Sequence, residues 1–447
     1  MVQSLQGVHQ LGLHELLRGS HPQAALVFYA LLLACPVILL LLRCRLSSSA
    51  SRAREQLLSK LPSPPRRLPV IGHLHLVGAL PHVSLSDLVA EHSRDGLMLL
   101  RLGAVPTLVV SSPRAAQAVL RTHDHVFASR THSPVADILF YGSSDVAFAP
   151  YGEHWRQVKK IATTHLLTNK KVRAYRHARE QEVRLAMAKI RKAAATGTAI
   201  NLSDLLNSFT NNIVCHAVSG KFYREEGRNE LFRELVEANI SLKGGFNLED
   251  YFPGLVKLDI IKRVVCAKAR KLRMAIPKVK EMVTEDDLNI NDMAFLKAVI
   301  KETLQLHAPA PLLVPHLSMA DCDIEDYRIP SGTRVIINAW ALARDPSHWD
   351  RAEEFMPERF MEGGSAFSMD YRGNDFVYLP FGTGRRICPG ISFAVSTIES
   401  MLANLMYHFN WVLPPESKNK GIDMSELFGV VVRRREKLLL VPVQPQE

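Results

Sequence analysis

The sequence predicts a mainly α, α+β body behind one apolar spanning helix, and three observations carry that prediction. Long stretches place apolar residues three and four apart, as amphipathic helices do. A few short β-rich runs lie between them. One run near the N-terminus, Ala24–Leu42, carries no charge.

At about 1.5 Å per residue that run approaches the ~30 Å hydrocarbon thickness of a bilayer. A cleaved signal peptide has a shorter core and a small-residue cleavage site, which is not evident here. Arg43, Arg45, Arg52 and Arg54 follow the run, against Arg18 before it. The positive-inside bias then puts the body in the cytosol. The expected organisation is an N-terminal extension (1–23), a transmembrane anchor (24–42), a basic, proline-rich hinge (43–72) and one body (73–447). Pro62, Pro64, Pro65 and Pro69 predict an extended, stiff connector.

Within the body, "LMLLRLG" and "TLVVSS" read as paired strands. Ser112-Pro113 opens a helix, with serine as N-cap and proline at the first position. "EHWRQVKKIATTHLL" and "LSDLLNSFTNNIVCHAVSG" read as helices, the second ending on Gly220. "NELFRELVEANISL" and "LVKLDIIKRVVCAKARKLRM" are further amphipathic segments. "DMAFLKAVIKETLQLH" sets Met293, Leu296, Ile300 and Leu304 on one stripe. "RVIINAWAL" is strand-like, and "SFAVSTIESMLANLMYHF" is apolar enough to predict a buried helix. The C-terminal "VVVRRREKLLLVPV" alternates between strand-like and basic.

With 47% hydrophobic residues the chain can fill a large core, and its formal net charge is +11. The basic residues are not interleaved with aromatics, so no nucleic-acid partner is expected. The six cysteines are scattered without a C-x-x-C pair, which argues against a disulfide scaffold or a structural zinc site.

One cysteine stands apart, in "FVYLPFGTGRRICPG". Cys388 precedes a helix, whose free amides and dipole favour thiolate. Gly382, Gly384 and Gly390 permit close backbone approach, and Arg385 and Arg386 can pair an anionic ligand. On these residues alone, a structural cysteine in a turn remains an equal reading.

The spacing Phe381-x-x-Gly384-x-Arg386-x-Cys388-x-Gly390 resembles the haem-binding signature of the cytochrome P-450 family. "FMPERF" resembles the segment before that loop, and "KETLQLHAPAPLLVPH" the helix bearing its Glu-x-x-Arg motif. The wording is most similar to the plant microsomal branch, in particular grass enzymes acting on indole-type precursors. The resemblance implies the family's helix-rich fold with small sheets. It implies haem b with Cys388 as axial ligand to iron, and NADPH electrons delivered by a reductase docking on the basic proximal face. It places Phe381 at the sulfur, Arg386, His316 and Trp155 at the haem propionates, and Lys159 where an Arg usually follows Trp. It implies a membrane-bound monooxygenase of the endoplasmic reticulum, inserting one atom of O2 into a small hydrophobic substrate. "HSPVADILFYGSS" and "SELFGVVV" match its pocket-lining segments.

Two departures stand out. The Glu-x-x-Arg motif reads Glu302-x-x-Gln305, so the network that would join Glu302, an Arg and Arg359 lacks one charge. Losing one member of such a network typically costs roughly 3–5 kcal/mol; the milder reading has Gln305 and water satisfying the site. The distal-helix signature, small-Gly-x-acid-Thr, is absent, and "AIPKVKEMVTEDDLNIND" follows Arg273-Met274 abruptly. An internal deletion near 274–275 is expected, and with it no identified distal catalytic residue. The alternative function is therefore an impaired or inactive remnant or splice variant, a non-catalytic protein tethered to the membrane.

Overall fold

The computed structural model describes residues 49–220, 251, 294–417 and 421–444. The expected anchor, the two amphipathic segments between 229 and 274, and the expected junction near 274–275 lie outside these residues. Among the described residues, no helix is long and apolar enough to cross a membrane. The chain divides into a unit Met1–Ser59 and a unit Lys60–Glu447. In the first, α1 (Ser49–Leu58) is a short, mostly polar helix ending on Leu57 and Leu58.

The second unit is helical around one mixed sheet. Strands β1 (Leu97–Leu102) and β2 (Val105–Val110) pair antiparallel, as the sequence predicts, with Val105 and Pro106 already in β2. The full sheet runs β1-β2-β8-β5-β3, with β3 (Ser129–Arg130), β5 (His316–Leu317) and β8 (Arg334–Ile337). The β2–β8 pair is parallel, and β8–β5 and β5–β3 are antiparallel. Leu85 and Val89 from α2 (Pro81–His92) pack on Met98, Leu100 and Val109 to close one face. The proline-rich hinge, expected as an extended, stiff connector, is tied to the sheet. Leu99 N–H donates to the Pro62 carbonyl, and Gly72 bridges to Leu102, so from Pro62 onward it lies along β1.

Ser112 caps α3 (Pro113–Gln117), accepting from Ala115 N–H, and the helix widens into a π turn over Ala118–Thr122. After α4 (Pro134–Leu139), helix α5 (Glu153–Ile161) likewise passes into a π turn. Helix α6 (Asn169–Ala174) leads into α7 (Arg176–Thr196), a long helix that the expected elements do not include. Its buried face carries Arg179, Glu180 and Glu182 among Val183, Met187 and Ile190, which blurs the apolar period. Helix α8 (Leu202–Ser219) ends on Gly220 in the left-handed region (φ 72°), as the sequence predicts.

Helix α9 (Ala294–Leu306) buries Ile300 and Leu304 of the expected stripe. "RVIINAWAL" is not one strand: Asn338 ends β8 and caps α10 (Ala339–Leu342) by accepting from Ala341 N–H. Helix α11 (Ile391–His408) is apolar but only one face is buried; Met401 and Leu405 enter the core, while Tyr407 is 80% exposed. β12 (Leu439–Val443) joins β4 (Ile200–Asn201) to β9 (Asn410–Val412). Separate hairpins pair β6 (Cys322–Ile324) with β7 (Tyr327–Ile329) and β10 (Glu426–Leu427) with β11 (Arg433–Arg434).

Candidate functional site

The cysteine loop lies between a rigid aromatic core and the start of α11. Tyr378, fully buried, packs edge-on to Trp349 and beside Phe360, and its hydroxyl donates to the Lys301 carbonyl at 3.0 Å. Past Pro380 the chain turns back: Cys388 N–H donates to the Phe381 carbonyl at 3.0 Å, closing the loop around the thiol. Gly390 caps α11, its carbonyl accepting from Ala394 N–H.

The glycines do different work from the approach to sulfur that the sequence suggests. Gly384 has φ +71°, and a Cβ there would stand 2.1 Å from the Leu120 carbonyl oxygen. It is required by the packing of the loop on the π turn. Gly382 needs its positive φ, and a Cβ at Gly390 would make an ordinary 3.8 Å contact with Cys388 Sγ. Arg385 is also accounted for, since its guanidinium and amide both reach Asp124.

Arg386 turns inward. Its Nε and Nη2 donate to the Ala128 and Ala149 carbonyls at 2.6 Å each, and its guanidinium lies 4.1 Å from the Trp155 ring centroid. The Trp155 indole N–H, expected at a propionate, donates to the Val146 carbonyl at 3.0 Å. Lys159, one turn further along α5, donates to the Arg385 carbonyl and stands over the same indole. His316, on β5, donates from Nδ1 to the Phe127 carbonyl at 2.7 Å. The β3–β5 register sets it opposite Arg130.

Arg130 is the residue that sequence reasoning missed. A two-residue strand carries no period, so "ASRTH" holds no signal that its arginine is buried. It donates to the Ala147, Val314 and Pro315 carbonyls. Burial, then the nearby Arg386 charge, lowers its pKa to about 9. Burial lowers Arg386 to about 10, and Asp145 opposes the shift in both. Lys159 is lowered as well, by burial first and Arg386 second. Three buried or half-buried cations thus converge, with the Asp145 carboxylate as a partial offset. Such a surplus of desolvated positive charge suits a ligand bearing acid groups.

The sulfur itself behaves otherwise than the helix-terminus argument predicts. Burial pushes the Cys388 pKa up, outweighing the Gly390 amide and Lys159, which pull it down. The protein's own groups therefore favour the thiol, and a metal cation at sulfur would supply the charge that removes the proton. The half-buried Cys388, with Phe381 beside it and the cation group nearby, fits a haem: sulfur for the iron, guanidinium groups for the propionates. Cys322 and Cys215 are also free, and burial raises both.

Behind the loop, Glu302 and Arg359 form a buried ion pair at 3.1 Å. Glu302 also accepts from Met356 N–H at 2.6 Å, and Arg359 donates to the Asp350, Arg351 and Glu354 carbonyls. Gln305 does not leave a charge unpaired, contrary to the costlier expectation. Its amide donates to the Ala343 and Ala352 carbonyls at 2.6 and 3.1 Å, and its cost is one buried oxygen, Oε1, without a partner. Gln305→Leu should destabilise the chain by about 2–4 kcal/mol, because both carbonyls lose their donor. Urea unfolding of the two proteins measures it.

Acid sensitivity follows from His316. Burial and Arg130 hold its pKa well below the usual 6.5. Below about pH 6.5 the unfolded chain takes up a proton that the folded chain refuses. Its contribution is complete above that pH and is lost as pH falls. The unfolding free energy should decline with a slope approaching ~1.4 kcal/mol per pH unit for this group; His316→Gln should flatten it.

Beside Arg130 lies a cavity of about 130 Å³, walled by Leu85, Phe148, Leu313, Ile336, Phe428 and Val430. "SELFGVVV" contributes Phe428 to Val430; "HSPVADILFYGSS" contributes none itself, but its flanks Thr131 and Phe148 do.

Comparison with known proteins bears on the family of the chain. The sequence model of the family described as "Cytochrome P450" matches residues 62–285 and 270–441. The chain is 45% identical to an indole-2-monooxygenase of Zea mays over 534 aligned positions, covering 96% of this chain and 99% of the relative. It is 44% identical to a 3-hydroxyindolin-2-one monooxygenase (92% and 94% covered) and 44% identical to an indolin-2-one monooxygenase (98% and 97%), both of Zea mays. The family binds haem iron and uses NADPH-derived electrons through a reductase. With the haem-binding spacing, the buried Glu302–Arg359 pair and these matches together, the chain belongs to the cytochrome P450 family.

Proposed function

We propose that this chain is a haem-thiolate monooxygenase of the endoplasmic reticulum, single-pass with its body in the cytosol, acting on a small hydrophobic, indole-type substrate. The observation that carries the reading is the Cys388 loop set against the Arg130–Arg386–His316 group. Cys388 would hold haem iron; Arg386, Arg130 and His316 would face the propionates, with Trp155 and Lys159 bracing them. When bound, the haem supplies oxygen activation, which thiolate ligation favours. The chain's own residues hold the group, keep water from the sulfur side and offer an apolar cavity. The names of the maize relatives support an indole-type substrate. The uncharged run Ala24–Leu42 supports the anchor, and the net charge of +11 supports docking to an acidic reductase surface. The test is turnover of indole by the full chain with reductase and NADPH, read as an oxygenated product.

A second reading is supported by a separate observation. The 534 aligned positions exceed the 447 residues of the chain, so positions of the relative face gaps in it. The family model matches in two pieces that overlap at 270–285, around the expected junction. With no small-Gly-x-acid-Thr motif in the sequence, no pair is identified to order water and deliver protons on the oxygen side. On this reading the chain binds haem at Cys388 yet turns over slowly or not at all. Haem loading without product in the same assay supports it; product formation at a rate typical of enzymes, about 1 s⁻¹ or more, contradicts it.

A further inference from the structure

The cavity wall formed by Phe428, Gly429 and Val430 is the turn of the β10–β11 hairpin. Two residues per strand cannot hold a hairpin in place unaided. Its position therefore depends on ties to the body, and two are evident. Val432 N–H donates to the Pro309 carbonyl at 2.8 Å at one end. At the other, Glu426 Oε2 lies 2.9 Å from Nε2 of His82.

His82 is held in place for that contact. It is fully buried on the first turn of α2, between Pro81 and Leu85, both of which line the same cavity. Its ring lies near-parallel to Phe428, centroids 5.9 Å apart, and edge-on to Trp340 at 5.4 Å. Its carbonyl accepts from Asn338 Nδ2 at 2.9 Å, which locks the backbone. Nδ1 is buried with no partner, so the ring carries its proton on Nε2 and donates it to Glu426. A leucine or phenylalanine would fill this place without an unpaired nitrogen; a buried polar group with half its capacity unused calls for a purpose.

We propose that His82 is a positioning residue for the substrate cavity, holding the Phe428–Val430 wall in place through Glu426. The pair ties together two parts of the cavity lining, α2 and the hairpin turn. Losing it weakens the hold at the Glu426 end, with the Val432 hydrogen bond in place at the other, and lets Phe428 leave the apolar wall. The proposal rests on the reading of this cavity as the substrate pocket.

The test measures amide hydrogen exchange in the full chain in lipid nanodiscs. His82→Phe keeps the ring and loses the hydrogen bond. His82→Gln keeps a donor where Nε2 stands. Glu426→Gln weakens the pair from the other side. Exchange across 425–432 should rise about tenfold or more in His82→Phe, rise less in Glu426→Gln, and stay near wild type in His82→Gln. Exchange across Leu97–Val110 should not change. The double variant His82→Phe/Glu426→Gln should be no worse than His82→Phe alone. Unchanged exchange across 425–432 in both His82→Phe and Glu426→Gln, or His82→Gln behaving as His82→Phe, overturns the proposal. Affinity for indole, read by the haem absorbance shift, should fall about tenfold in His82→Phe and be restored by His82→Gln. If the wild type shows no haem or no indole shift, the proposed function fails, and the exchange result alone decides on His82.

Discussion

Glu302→Gln is expected to cost the folded chain about 3–5 kcal/mol. Glutamine keeps the shape but removes the charge facing Arg359, whose side chain is 2% exposed. The guanidinium retains its three carbonyl partners, at 2.5 to 3.1 Å, yet its charge is then buried without a counter-ion. Gln305 cannot compensate, because it is neutral and both its amide protons are committed to Ala343 and Ala352. Against a total stability of about 5–15 kcal/mol, this brings the chain near its threshold. The midpoint of urea unfolding at unchanged slope is the measurement. A change below about 1 kcal/mol, the range of an exposed pair, would mean that backbone carbonyls alone carry Arg359.

Arg386→Leu should act on both stability and cofactor retention. Two carbonyls, Ala128 and Ala149, lose charge-assisted donors in a buried setting, for about 2–5 kcal/mol together. The Val146 carbonyl keeps its bond from Trp155. Trp155 loses the cation stacked 4.1 Å from its ring. In the proposed site a propionate also loses its partner, so haem should be stripped on gel filtration where the wild type keeps it. Arg386→Lys should fall between, since one ammonium cannot span two carbonyls at the angle of a planar fork. Full haem retention in Arg386→Leu would place the propionates elsewhere.

The β1–β2 pair, the Ser112 cap and the Gly220 stop follow from local chemistry, and each was legible in the residues alone. The cysteine loop was legible because its spacing is a pattern in sequence. What assembles around it was not. Arg130 sits on a two-residue strand, and only the β3–β5 register brings it to His316. Helix α7 hides its period behind buried Arg179, Glu180 and Glu182. Two expectations from local rules were reversed by burial and tertiary contact. The helix terminus at Cys388 loses to desolvation, and the Gln305 amide donates to carbonyls of Ala343 and Ala352, 38 and 47 residues away, leaving only its Oε1 without a partner. The His82–Glu426 pair joins residues 344 apart and had no signature at all.

The central claim is that the sulfur side of a P450 haem site is assembled in this chain around Cys388. The most direct test is the reduced, carbon monoxide-bound absorption spectrum of the full chain expressed with haem supply, beside Cys388→Ser. The red-shifted band of a thiolate-ligated haem is expected in the wild type and its loss in the variant. Bound haem without that band in the wild type, or the same band in Cys388→Ser, would contradict it.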